Sequence, residues 1–228
     1  METLLSTTIS LRKLALPGGA LAWLIALPAT MDDAPLVLVQ HGLGSRKERH
    51  LELCVRLAEA GFRACTVDAA FHGERRTNGP EEAALAGSRD AAAFPGAFAA
   101  CVDRTVEDLS EFAQGLTDKP WALVGHSMGG FIALTAARRL ENLTRIVVIA
   151  GAIEPEFAPE RSPVQNAGEL APTQVLLLHG DADPLVPFAG AERLDAALLS
   201  SRLVAYPGGG HDLTGQMITD AVEWLQLP

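Results

Sequence analysis

The sequence predicts an α/β architecture: a mostly parallel central sheet, opened by an N-terminal antiparallel hairpin, with helices on both faces and small lid segments. Three observations predict it. Short continuous apolar runs recur, at Leu36–Gln40, Phe62–Val67, Trp121–Val124, Arg145–Ile149, Gln174–Leu178 and Arg202–Tyr206. Runs without polar alternation suit strands covered on both faces, as in a parallel sheet. Segments with helical apolar spacing lie between or after them, at Glu48–Ala60, Thr105–Leu116, Gly130–Leu140, Ala189–Leu199 and Leu213–Leu225. Glycine-bearing loops separate the two kinds of segment, so the chain reads as repeated strand–helix–strand units.

Length and composition suit one domain spanning 1–228. A chain of 228 residues can bury roughly 70–75% of its unfolded surface in a single core. Hydrophobic residues make up 48% and charged residues 20%, which speaks against disorder. The net charge of −10 speaks against a nucleic-acid partner, which needs a basic face. The three cysteines, Cys54, Cys65 and Cys101, show neither metal spacing nor a disulfide framework. They read as small core hydrophobes in a reducing, cytoplasmic compartment. No metal and no cofactor is expected.

Taken in order, Thr3–Leu16 and Ala20–Leu27 flank Pro17-Gly18-Gly19 and read as the opening hairpin. Arg12 and Lys13 before an apolar run also resemble a signal peptide, but the Pro-Gly-Gly break interrupts that run. No stretch of 18 apolar residues exists, so no membrane span and no membrane partner are expected. Leu36–Gln40 is followed by His41-Gly42-Leu43-Gly44-Ser45, then by the first helix, which stops at Gly61. Phe71–Ala100 and Ala152–Pro172 show no clean period. Both follow strands, so they are expected at the carboxyl edge of the sheet as lids or pocket walls. The apolar character of Phe94–Phe98 suggests a lid packing on the pocket or a dimer face, and the sequence leaves a homo-oligomer open.

The chemistry centres on Gly125-His126-Ser127-Met128-Gly129, a G-x-S-x-G pattern between an apolar strand and a helix. In such an elbow the serine occupies a strained turn, and the glycines keep side chains out of the crossing. A serine hydroxyl needs a base, and the base needs an orienting carboxylate. Two histidines follow Ser127. His179 closes a strand and reads as structural. His211 lies in the flexible run Pro207-Gly208-Gly209-Gly210, from which a ring can reach the serine. Asp181 and Asp183 both follow the strand ending at Leu178. Asp181 leaves the strand early and suits a turn cap. Asp183 is placed to project sideways toward an imidazole, which makes it the stronger candidate.

His41-Gly42, Gly125-His126-Ser127-Met128-Gly129, His179-Gly180-Asp181-Ala182-Asp183-Pro184-Leu185-Val186-Pro187 and Gly210-His211 together resemble the α/β-hydrolase family, in its order and spacing. The likeness runs from about Pro35 to the end. Asp68-Ala69-Ala70-Phe71-His72-Gly73, with Arg75 after it, is most similar to small bacterial esterases related to the dienelactone hydrolases. Ser127 stands where the dienelactone hydrolases proper would have cysteine. The resemblance implies an α/β-hydrolase fold and an oxyanion hole made by the backbone N–H groups of Leu43 and Met128. Gly42 and Gly44 around Leu43 suit that role, because they let the backbone turn.

The expected activity is a carboxylesterase-like serine hydrolase. Ser127 attacks a small-molecule ester, His211 takes its proton, and Asp183 orients the ring. Thioesters, lactones and amides use the same machinery, and a non-catalytic ligand-binding member of the fold is the rival class. Around this site His126 is expected to pack beside the strands, Met128 to line the floor, and His72 to structure its turn. Arg46, Lys47, Arg75 and Arg76 lie near the mouth, where they could meet an anionic substrate, but they read rather as solvated charges, with Asp68 and Glu74 as their available partners.

Overall fold

Strand propensity and double-sided burial coincide in this chain. The computed structural model describes residues 9–15, 21–26, 33–88, 91–151, 154–155, 158–170 and 172–228. Leu36–Gln40 (β3) and Arg63–Val67 (β4) are buried at every position, and Gln174–Gly180 (β7) at every position but its first. Ser10–Ala15 (β1) and Leu21–Ala26 (β2) form the antiparallel opening pair, and β2 also runs antiparallel to β4. Trp121–His126 (β5), Leu143–Ile149 (β6) and Ser201–Tyr206 (β8) complete an eight-stranded sheet of order β1-β2-β4-β3-β5-β6-β7-β8. From β4 through β8 all pairings are parallel. The Pro17-Gly18-Gly19 turn of the expected hairpin lies outside the described residues.

Helices cover both faces. Leu51–Glu59 (α1) and Gly215–Leu225 (α6) pack on one face, against Val37, Val39, Val124, Val147 and Leu178. Pro80–Ala86 (α2), Phe94–Leu116 (α3), Met128–Ala137 (α4) and Phe188–Ala197 (α5) lie on the other, with Leu36, Leu38, Leu123, Ile146 and Leu177. Alternate strand residues therefore serve opposite cores, as the period of two requires. All ten residues of α4 are buried. A helix apolar all round has no face to offer water and is held inside. Each large side chain such as Phe131 or Ile132 stabilises the fold by about 1.5–3 kcal/mol when buried. The cysteines are free and buried, as expected.

The helix over Thr105–Leu116 is a correction in length, since α3 begins at Phe94. Pro95 falls in its first turn, where a missing N–H costs nothing, so the Pro-Gly pair does not break it. Phe94 and Phe98 are 1% and 4% exposed and stack 5.8 Å apart, with Phe98 against Phe131. They belong to the core rather than to a dimer face. The stretch 71–100 thus carries α2 and the start of α3, and 152–172 carries short 3-10 turns at Pro159–Arg161 and Ala167–Leu170. The first helix is likewise shorter than expected, because Lys47–His50 is a 3-10 turn that precedes α1. No helix among the described residues is long and apolar enough to cross a membrane.

The chain steps from β3 outward to β4, then returns to the other side of β3 as β5. That reversal opens a crevice at the carboxyl ends of β3 and β5, where ligands bind in open α/β sheets.

Candidate active site

The crevice is bounded by the loop after β3 and the turn after β5. Ser127, the one residue between β5 and α4, has φ 56 and ψ −119, a strained backbone for a residue with a side chain. Its N–H donates to the carbonyl of Ile149 at 2.8 Å, which ties the turn to the neighbouring strand. The flanking glycines are sterically required. A Cβ on Gly125 would lie 2.0 Å from the carbonyl oxygen of Gly129, and one on Gly129 would lie 2.2 Å from that of Gln40. A Cβ on Gly42 would stand 3.0 Å from the Cβ of Ser127, so the β3 loop presses directly on the serine.

The other two candidates arrive on loops stitched together by main chain. The Ala182 N–H donates to the Gly209 carbonyl at 2.9 Å, and Asp181 Oδ1 accepts from the Gly208 N–H at 2.7 Å. Asp181 is thus the turn cap, as expected, and it holds the His211 loop in place. Asp183 Oδ1 accepts from the Leu185 and Val186 N–H groups at 2.8 and 2.9 Å. Its Oδ2 lies 2.7 Å from His211 Nδ1, and His211 Nε2 lies 2.9 Å from Ser127 Oγ. The structure therefore brings Ser127, His211 and Asp183 into one hydrogen-bonded row. With Nδ1 donating to the carboxylate, the neutral ring presents a lone pair at Nε2 to the serine hydroxyl. Burial pushes the Asp183 carboxyl up, but the Val186 N–H, His211 and the Leu185 N–H outweigh it and hold it below the usual carboxylate range.

His179 is structural, as expected. It is buried, its Nε2–H donates to the Val186 carbonyl at 2.9 Å, and its ring meets Phe188. His72 braces its turn through Nδ1–H to the Ala70 carbonyl at 2.8 Å. Met128 is 1% exposed beneath the serine. His126 does more than pack beside strands. Its Nε2–H donates to the main-chain carbonyl of His211 at 2.9 Å. Its ring lies 5.3 Å from that of His211 and 5.7 Å from His50. Alternation along β5 sends this side chain to the α1 and α6 face, a signal the sequence offered through the parity of Ala122, Val124 and His126.

The largest correction concerns Lys47. It is a buried cation, 0% exposed, and not a solvated one. Its Nζ donates to Asp68 Oδ2 and to Glu74 Oε2, each at 2.8 Å, and its own N–H donates to Asp68 Oδ1 at 2.8 Å. Arg75 is also engaged, with Asp108 and with the Asp68 carbonyl, while Arg46 and Arg76 are exposed as expected. On the inner side of the same loop, His41 Nδ1–H donates to the Gly42 carbonyl at 2.8 Å and Nε2 accepts from the Ala69 N–H at 2.9 Å. Leu43 is thus held between two buried anchors, His41 and Lys47. The sequence offers Asp68 and Glu74 as partners, but it gives no sign that the ammonium is buried against them, because they lie 21 and 27 residues further along the chain and only Glu48, 3.3 Å from Nζ, is a neighbour in sequence.

A cleft of about 480 Å³ opens above the serine, lined among others by Leu43, Arg49, Ser127, Leu185, His211 and Leu213. Among the described residues no group of three His, Cys, Asp or Glu side chains converges to hold a metal.

This sheet order, with a strained serine turn at the reversal point, defines a hydrolase of the α/β-hydrolase type. Residues 32–167 match the family described as serine aminopeptidase, S33, and the chain belongs to that family. Residues 153–223 match a second family, described as TAP-like protein. Among similar proteins, NocK of Nocardia uniformis subsp. tsuyamanensis is 32% identical over 167 residues, covering 72% of this chain and 44% of NocK. The chain thus spans less than half of that relative. Esterase YjfP of Escherichia coli K12 is 26% identical over 241 residues, covering 88% of this chain and 92% of YjfP. Among solved structures, TT1662 from Thermus thermophilus superposes with a TM-score of 0.75 at 23% identity, covering 96% of this chain and 97% of that one.

Proposed function

We propose that this chain is a serine carboxylesterase acting on small acyl esters through Ser127, His211 and Asp183. The observation that carries the reading is the row of contacts from Asp183 Oδ2 to His211 Nδ1 at 2.7 Å and from His211 Nε2 to Ser127 Oγ at 2.9 Å. Ser127 Oγ attacks the ester carbonyl as its proton passes to His211 Nε2. Asp183 keeps the ring in the Nδ1–H tautomer and stabilises the imidazolium. The N–H groups of Leu43 and Met128 stabilise the oxyanion that develops on the carbonyl oxygen. His211 then protonates the leaving alkoxide, the acyl group stays on Ser127, and water activated by His211 releases the acid. The esterase name of YjfP, which this chain matches over most of its length, supports ester as the bond cleaved.

Labelling with a fluorophosphonate and turnover of p-nitrophenyl esters of rising chain length test the reading. Wild type labels and turns over, and Ser127→Ala does neither. An unlabelled wild type would make the chain a ligand-binding member of the fold. A second reading, an aminopeptidase, takes its support from the family description and from Glu52 and Asp212 in the cleft, where an ammonium would be attracted. It requires release of p-nitroaniline from aminoacyl p-nitroanilides at rates above those of the matched esters.

A further inference from the structure

The cleft above Ser127 has a neighbour. A second cavity of about 690 Å³ begins at Leu43 and extends away from His211. The two share Leu43, Ser45 and Arg49 as a common wall. Their charges differ. The serine cleft holds Glu52 and Asp212 with Arg49 as its only Lys or Arg, while the second cavity is lined by Arg46, Arg49 and Arg76 together with Glu48 and Glu74. Glu48 Oε1 lies 3.3 Å and Glu74 Oε2 2.8 Å from the buried Lys47 Nζ, which Asp68 Oδ2 also meets at 2.8 Å. Arg46 lies 3.6 Å from Glu48, and Arg76 lies 3.5 Å from Glu82. Arg49 has no carboxylate within ion-pair distance among the described residues, although it stands on the wall that joins both spaces. A chain of net charge −10 thus places arginines round a cavity that touches the proposed oxyanion donor.

We infer that Arg49 is a specificity residue and that the second cavity receives an anionic group of the substrate, a carboxylate or a phosphate. The inference rests on the esterase reading of Ser127 and deepens it. The ester carbonyl sits at Leu43, and the charged end reaches past it to Arg49, while Arg46 and Arg76 keep their pairs with Glu48 and Glu82. A guanidinium binds either oxyanion through paired N–H donors, and the exposed Arg49 side chain offers them on the wall between the two spaces. Glu52 and Asp212 repel the same group from the His211 side, which orients the substrate. Selectivity for the anion then comes from attraction on one side and repulsion on the other.

The test compares matched esters, one neutral and one charged. Mono-p-nitrophenyl glutarate is set against p-nitrophenyl valerate for an anion on the acyl side. 4-Acetoxybenzoate is set against its methyl ester for an anion on the leaving side. In at least one pair, wild type is expected to favour the anion in kcat/KM, and added salt lowers that preference. Arg49→Gln is expected to lower the charged-to-neutral ratio about tenfold, the value of one charge-assisted contact, and Arg49→Lys to restore part of it. Arg56→Gln, on the exposed side of α1 and paired with Glu59, leaves the ratio where it was. No preference for the anion in either pair, or a preference that Arg49→Gln does not lower, overturns the inference. A wild type that hydrolyses neither member of a pair and takes no fluorophosphonate fails the esterase reading instead, so the two failures are told apart.

Discussion

Asp68 and Asp183 are two carboxylates built nearly alike. Each follows a parallel strand, β4 or β7, and their side chains are 1% and 0% exposed. Each accepts two backbone N–H groups: Lys47 and Glu74 for Asp68, Leu185 and Val186 for Asp183. They differ in the third partner. Asp68 meets Lys47, whose ammonium stays charged and whose side chain is wholly buried. Asp183 meets His211, which is 17% exposed and whose far nitrogen faces Ser127. The same cradle thus serves a fixed charge in one place and a titratable ring in the other. A permanent buried pair locks a loop. An imidazole at the rim, with one nitrogen facing the serine hydroxyl, is placed to take up a proton and pass it on.

The largest expected effect breaks the Asp183 side of this comparison. Ser127→Ala is expected to lower kcat by up to about six orders of magnitude, and Asp183→Asn by about four, measured on a p-nitrophenyl ester. Thermal unfolding of Asp183→Asn should move little by comparison. Asp68→Asn is the mirror case. It removes the one fully buried carboxylate of the three beside Lys47, and stability should fall by about 3–5 kcal/mol in urea unfolding. A variant with equal losses of stability at both positions would erase the distinction.

The pH dependence of stability sharpens it. Burial raises both carboxyls, and their hydrogen bonds, joined for Asp68 by the Lys47 ammonium, hold them below the ordinary value. Their contribution is complete above the unfolded pKa near 4 and is lost as pH falls through the lower folded value. Buried imidazoles act earlier on acidification. Burial pushes His41 down to about 4 and His50 down to about 3. The unfolded chain binds protons there below about pH 6.5 while the folded chain does not, so stability should decline from pH 6.5 downward. Among the described residues, neither ring nitrogen of His50 makes a well-formed hydrogen bond to a protein group. His50→Leu should therefore shrink the drop in the urea midpoint between pH 7 and pH 5, and should stabilise by about 1 kcal/mol at pH 7.

The smallest effect concerns how the His211 ring is held. His126→Phe removes the donor to the His211 carbonyl and is expected to lower kcat about tenfold with KM little changed. His126→Gln keeps an N–H donor at similar reach and should recover most of the loss. A fluorophosphonate inactivation rate that tracks kcat across the two variants would place the effect on activation of the serine.

Much of the fold was legible. The buried strands carry their own signal, because continuous Val, Leu and Ile runs have no other stable home. The glycines round Ser127 and the loops bearing Asp183 and His211 were legible for the same local reason. They are turns whose chemistry is written within a few residues, and the structure brings these side chains within hydrogen-bond distance. The start of α3 was hidden, since Pro95 and Gly96 mask a helical spacing made largely of alanines. Lys47, His126 and Arg49 were misread or passed over because each takes its meaning from partners distant in the chain.

Local sequence by itself determined where strands, helices and the elbow turn form, because backbone sterics, glycine freedom and apolar periodicity act over a few residues. Tertiary structure alone decided which charges are buried and which face the cleft. Electrostatic partners meet through space, and only the folded sheet sets Asp68 beside Lys47, His211 beside His126 and Arg49 between two cavities.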